Sequence, residues 1–302
     1  MMRLAGIVTA ACLSIAPAAA QPAPAAPSPA AEAPAAPRPA LWLLADEDTK
    51  IYLFGTIHIL PPDLNWRSAA LNRAVDEADE LVLEVDDEEM DNFDAGVLEG
   101  TMLGKSVPVT ARVSPDRRDR LAEMIAASGV PSETLDGLQT WAVAMSLSVA
   151  QLADGYGADM QALTGVEEAL TEDFRARGRP ISGVETAAQQ IGFFSTLPLS
   201  VQREMLEQTV DAWAEGTGDF DPGDADWLRG DLDAMVAELE EMPPELFDAL
   251  LTRRNTSWTG WLIDRLERPG TVLFAVGAGH LAGRVSVQSM LAARGYRVSR
   301  VD

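Results

Sequence analysis

The sequence predicts an α/β fold: a mixed central β-sheet flanked by helices, with a helical insertion between the N- and C-terminal halves of the sheet. Three observations lead there. Apolar runs rich in β-branched and aromatic residues stand near both ends of the chain, "IYLFGTIHIL" at 51–60 and "TVLFAVGAGH" at 271–280. Between them, "ELVLEVD" at 80–86 is short and nearly all apolar, as strands covered on both faces of an α/β sheet are. From Pro198 to Leu266 the chain carries helical spacing almost throughout, with breaks around Asp219–Asp224 and Met242–Pro244. Strands at both ends with helices between them imply one sheet built by both termini.

Taken in order, the chain opens on an export signal. Arg3, the apolar "LAGIVTAACLSIA" and small residues before Gln21 predict cleavage near Ala20, which makes residues 1–20 a signal peptide and the protein periplasmic or secreted. Residues 21–40 contain "PAPAAPSPAAEAPAAPRPA", which lacks the side chains for a core and reads as an extended, mobile linker. The domain is then 41–302. "ALWLLADED" and "TKIYLFGTIH" form a strand pair around a polar turn at Asp46–Thr49. A helix follows over Asn65–Asp79, then the strand "ELVLEVD". Further helices are expected at Pro115–Ala127, Leu138–Ala153, Val166–Arg177 and Ala187–Phe194, with a short strand in "RPISGVE". The end returns to α/β: strand Thr271–Val276, helix Val285–Ala293 and strand Tyr296–Val301.

Charge and cysteine narrow the function. With 47 Asp and Glu against 23 Lys and Arg the chain carries -24, which repels phosphate backbones and anionic membrane surfaces, so nucleic acid is not an expected partner. Beyond the signal, no stretch is apolar enough to span a bilayer, so no integral membrane span is expected. The single cysteine, Cys12, leaves with the signal, so disulfides and thiol chemistry are excluded from the mature chain. A lipoprotein anchor at Cys12 is the weaker reading of "VTAAC", because Thr9 fits it poorly and the apolar region before it is short. No G-x-S-x-G, H-E-x-x-H, Walker A or strand-following G-x-G-x-x-G occurs.

The chain has two histidines, His58 and His280, and each is the last residue of a G-x-x-H that follows an apolar run. At this glycine content, chance places a glycine three before both histidines about once in 170. Glycine at a strand end lets the backbone turn steeply or take positive φ. The histidine then stands outside the strand's carboxyl end, where α/β sheets place ligands. Two imidazoles there make half of a transition-metal site that lacks only oxygen donors. Glu84 is the leading donor, the only charge within "LVLEV", and Glu185 in "ISGVET" repeats the event at the next strand end. The alternative for each carboxylate is a helix cap or an ion pair. Arg254 and Asn255 stand out as polar residues on a helix that buries Leu250, Leu251, Trp258 and Leu262. An arginine near a metal can bind a carboxylate or an oxyanion; the alternative is an exposed polar face.

These segments, with "YLFGTIHILP", "ELVLEVD", "ISGVETAAQQIGFFSTLP", "RRNTSWTGWL" and "LFAVGAGHLAG" in this order, resemble the TraB/GumN family, which includes the animal Tiki proteases. The resemblance covers roughly residues 40–302. It implies a mixed α/β fold related to the erythromycin-esterase and ChaN-like proteins, and a metalloprotease site that depends on manganese or cobalt. Carried over, His58 and His280 are metal ligands, Glu84 is the acidic position after the first motif, Arg254 and Asn255 are the arginine–asparagine pair, and Glu185 is the second acidic strand end.

The expected function is metal-dependent hydrolysis of an amide in a peptide or protein substrate. His58, His280 and Glu84 hold the ion, Glu185 serves as general base, and Arg254 with Asn255 steadies the oxyanion. Ligand type alone leaves zinc as an alternative to manganese and cobalt. The competing expectation is a non-enzymatic periplasmic binding protein for haem, a peptide or an envelope-assembly partner, since histidine also ligates haem iron.

Overall fold

The structure, a computed structural model, describes residues 37–60, 64–86, 100–103, 105–156, 165–215, 224–232, 236 and 239–302. The signal peptide and most of the linker lie outside the described residues. The last residues assigned to the linker belong to the packed domain: Ala40 is buried, and the Arg38 N–H donates to the Leu228 carbonyl at 2.7 Å.

Strand β1 (Leu41–Ala45) pairs antiparallel with β2 (Thr49–Thr56). The turn between them is closed by Asp46, whose Oδ1 accepts from the N–H groups of Asp48 at 3.2 Å and Thr49 at 2.9 Å. Helix α1 is shorter than the expected Asn65–Asp79 and covers Ala69–Glu77. Ser68 caps it by accepting from the Leu71 N–H at 3.0 Å, and a cap of this kind contributes about 1 kcal/mol. Strand β3 spans Glu80–Leu83. Helices α2 (Arg118–Ser128), α3 (Ser132–Gly137), α4 (Thr140–Tyr156) and α5 (Val166–Ala176) precede β4 (Ile181–Gly183). Then come α6 (Ala187–Ser195), α7 (Leu199–Ala214), α8 (Asp224–Leu228) and α9 (Pro244–Phe247). A π-helical turn at Asp248–Thr252 leads directly into α10 (Arg253–Arg265). Strand β5 (Gly270–Gly277), a 3₁₀ turn at Ala278–Leu281, α11 (Val287–Ala293) and β6 (Val298–Arg300) complete the chain.

The six strands form one mixed sheet in the order β4-β3-β5-β2-β1-β6. β4, β3, β5 and β2 run parallel to one another, while β1 is antiparallel to both β2 and β6. The C-terminal β5 therefore inserts between two N-terminal strands, and the halves of the chain close one sheet. β5 and its two neighbours bury Leu53, Phe54, Leu81, Val82, Leu273 and Phe274 fully or nearly so, each side chain contributing roughly 1.5–3 kcal/mol. The helical insertion has two cores of its own. One gathers Leu121, Leu135, Leu147 and Leu206 from α2, α3, α4 and α7; the other gathers Trp141, Phe194, Leu246 and Leu250. Among the described residues no helix is long and apolar enough to cross a membrane.

Candidate functional site

Each of the four parallel strands delivers one predicted side chain just past its carboxyl end. His58 follows β2, Glu84 follows β3, Glu185 follows β4 and His280 follows β5. Glu84 lies one residue beyond β3, not within a strand as its sequence context suggests. Its carbonyl accepts from the Glu185 N–H at 2.8 Å, which ties the two strand ends together.

Arg254 and Asn255 come to the same place from α10 and are buried, so the exposed-face alternative does not hold for them. Arg254 joins both carboxylates. Its Nε and Nη2 donate to Glu185 at 2.9 and 2.8 Å, Nη2 also donates to Glu84, and Nη1 approaches His280 Nε2 at 3.1 Å and the Leu250 carbonyl at 3.4 Å. All five guanidinium hydrogens are thus engaged, and the guanidinium lies 4.8 Å from the Trp258 ring and 5.3 Å from that of Phe193. The π-helical turn immediately ahead of α10 is a backbone feature common at functional sites, and here it supplies the Leu250 carbonyl. Asn255 fixes the second histidine: its Oδ1 is 2.6 Å from His280 Nδ1, while its Nδ2 donates to the carbonyls of Val285 at 2.8 Å and His280 at 3.3 Å. With Nδ1–H given to Asn255, the His280 Nε2 lone pair faces Arg254.

The two arms meet over Gly277. Its N–H donates to Glu84 Oε1 at 2.9 Å. A Cβ placed there would lie 3.2 Å from Glu84 Oε1, 3.7 Å from His280 Cδ2 and 3.8 Å from His58 Nε2. The glycines of the two motifs are not needed for positive φ: neither Gly55 nor Gly277 adopts it. Both serve close approach, since a Cβ on Gly55 would come within 3.0 Å of Ala278 Cα.

His58 has a partner that the sequence reading did not single out. Its Nδ1 lies 2.8 Å from Oε1 of Glu167, which also accepts from the Thr56 hydroxyl. Glu167 stands in the first turn of α5, in "TGVEEAL". The same Gly-Val-Glu occurs in "SGVET" at Glu185, and that repetition is the signal that points to it.

The electrostatics divide the site in two. Burial disfavours a charged His58, but Glu167 outweighs it, with help from Glu84, and lifts its pKa to about 9. Burial and then the Arg254 charge push His280 down to about 3. Burial opposes ionisation of Glu84, yet Arg254 and the histidines hold its carboxyl far below the usual carboxylate range. For Glu185 burial prevails over Arg254, and its carboxyl is raised.

Among the described residues no group of three or more His, Cys, Asp or Glu side chains is spaced to hold a metal ion. At the predicted site Arg254 stands against both His280 Nε2 and Glu84. The donor chemistry nevertheless fits such an ion. Each imidazole is anchored through Nδ1 on an oxygen, Glu167 for His58 and Asn255 for His280, which is how ligating histidines are held.

A family model described as the TraB/PrgY/gumN family matches residues 40–300. No curated protein and no solved structure matches the chain.

Proposed function

The chain belongs to the TraB/PrgY/gumN family, and from that premise we propose that it is a metal-dependent hydrolase of the cell envelope that cleaves a peptide or another amide. The observation that supports this most is the meeting of His58 Nε2, Glu84 Oε1 and the His280 ring over Gly277, outside the carboxyl ends of parallel strands. His58, His280 and Glu84 would hold manganese or cobalt, with zinc as the alternative. When bound, such an ion lowers the pKa of water and polarises a carbonyl.

The chain's own residues supply the rest. Glu185, a carboxyl raised by burial, has the property of a general base and stands one hydrogen-bonded step from Glu84, both accepting from Arg254 and from Gln190. Arg254 orients the two carboxylates and, with every N–H engaged, must release a bond to Glu84 or His280 before it can serve an oxyanion. Asn255 orients His280, since its side-chain amide is committed to His280 and Val285.

The test is metal content and cleavage of a peptide library by the purified protein with added manganese, cobalt or zinc, compared with His58→Ala and His280→Ala. The wild type is expected to bind and cleave, and both variants to lose binding. Unchanged metal affinity in both variants sinks the reading. A Soret band on haem titration without cleavage would replace it with the binding-protein reading.

A further inference from the structure

We propose that Glu167 is a positioning residue: it accepts the Nδ1 hydrogen of His58, keeps that imidazole in the Nδ1–H tautomer and so directs the Nε2 lone pair to the space shared with Glu84. Its purpose rests on the ligand role proposed for His58; its geometry does not. Neutral histidine in water favours the opposite tautomer, with the hydrogen on Nε2, so the site must impose this one.

The imposing structure is the start of α5, seated directly on the loop that carries His58. The Val166 N–H donates to the Ile57 carbonyl at 3.0 Å. Gly165 makes the seat close enough: a Cβ there would lie 2.7 Å from the His58 carbonyl oxygen, a distance no side chain tolerates. Glu167 therefore reaches His58 from a first helical turn that is bonded to the neighbouring residue, and its rotamer is fixed by the Thr56 hydroxyl at the end of β2, which donates to the same Oε1. Position adds to this. A carboxylate in the first turn is favoured by the helix dipole, so it stays ionised and an acceptor only. An acceptor-only group at 2.8 Å from Nδ1 favours Nδ1–H toward Glu167 in the neutral ring, which leaves the lone pair on Nε2, the atom on the Gly277 side of the ring.

The experiment uses the chain's two histidines, because a long-range ¹H–¹⁵N spectrum of the metal-free protein then contains two imidazoles, assigned with His280→Ala. It is recorded on the alkaline side of the His58 titration, which the same spectra follow, where that ring is neutral. Wild-type His58 is expected to carry its hydrogen on Nδ1. Glu167→Leu is expected to shift it to Nε2, and Glu167→Gln, whose amide oxygen still accepts, to keep it on Nδ1. Affinity for manganese and zinc, measured by chelator competition, should fall about 10- to 100-fold in Glu167→Leu and less in Glu167→Gln. A wild-type His58 with its hydrogen on Nε2 overturns the proposal, and that spectrum decides even if Glu167→Leu does not fold. So does an unchanged tautomer in a folded Glu167→Leu. If the tautomer shifts but the wild type binds no metal, the positioning role of Glu167 is supported and the ligand reading of His58 falls.

Discussion

The two G-x-x-H segments end neighbouring parallel strands in register, with Gly55 opposite Val276 and Thr56 opposite Gly277, yet they present histidines of opposite character. The His58 side chain is 17 % exposed, leans on a carboxylate and is pushed up to about 9. The His280 side chain is 2 % exposed, leans on an amide, faces a guanidinium and is pushed down to about 3. The motif determines where each imidazole stands. What it can do there is decided by a helix from elsewhere in the chain, α5 for the first and α10 for the second. One imidazole is partly exposed and rests on an anion, the other is buried against a cation, and Glu84 lies between them.

The largest effect should come from removing the cation of the buried arm. Arg254→Met leaves Glu84 and Glu185 buried without their shared counter-ion, and breaking a buried pair of this kind costs about 3–5 kcal/mol. Urea unfolding is expected to show that loss. The same experiment on Glu167→Leu, at the more exposed arm, should show about 1–2 kcal/mol. Equal losses in the two variants would erase the distinction between the buried arm and the more exposed one. Arg254→Met should also raise the His280 pKa, since the guanidinium is the main charge opposing its protonation.

Next in size is the pH dependence, where the arms must act in opposite directions. The folded-state pKa of His58 lies above the ordinary value of 6.5, so its contribution to stability is complete below 6.5 and is lost as pH rises through about 9. That of His280 lies below 6.5, so the unfolded chain takes up its proton first; its contribution is complete above 6.5 and is lost as pH falls toward about 3. Imidazole NMR titration of the metal-free protein measures both values directly. Two histidines that titrate together near 6.5 would show that the partners do not set the arms apart.

How much of this could be read from the sequence follows the same division. Both histidines, Glu84 and Glu185 were legible because each breaks a local pattern, a charge or an imidazole at the end of an apolar run. Arg254 and Asn255 were legible as polar residues on an apolar helix, although their burial was not. Glu167 was hidden because an acidic residue in the first turn of a helix needs no function to explain it. Its contact with His58 exists only once α5 is docked on the loop after β2. Of the two reasons read for the motif glycines, a steep turn or positive φ, the second does not hold; the close approach that also requires them is tertiary and so was not legible. Residues 37–40 read as linker because Pro/Ala composition says nothing of the Leu228 carbonyl that the Arg38 N–H meets.

Those glycines give the finest test of the comparison. On Gly55 an added methyl meets backbone and the first side-chain carbon, Ala278 Cα at 3.0 Å and Cβ at 3.1 Å, where the loop of the buried arm crosses the end of β2. Neither atom can rotate away, so Gly55→Ala has to spread the two strand ends and should cost about 1–3 kcal/mol, the usual range for overpacking. On Gly277 the nearest atom is Glu84 Oε1 at 3.2 Å, and the ring atoms of both histidines lie farther off. A carboxylate can yield a few tenths of an ångström more cheaply than backbone, so Gly277→Ala should lose less than Gly55→Ala in urea unfolding. Its effect should instead fall on the site, because the methyl occupies the space between His58 Nε2 and Glu84 and weakens metal affinity. Gly55→Ala should leave that affinity closer to wild type. The reverse pattern, with Gly277→Ala the less stable and Gly55→Ala the poorer binder, would mean that the arms meet somewhere other than over Gly277.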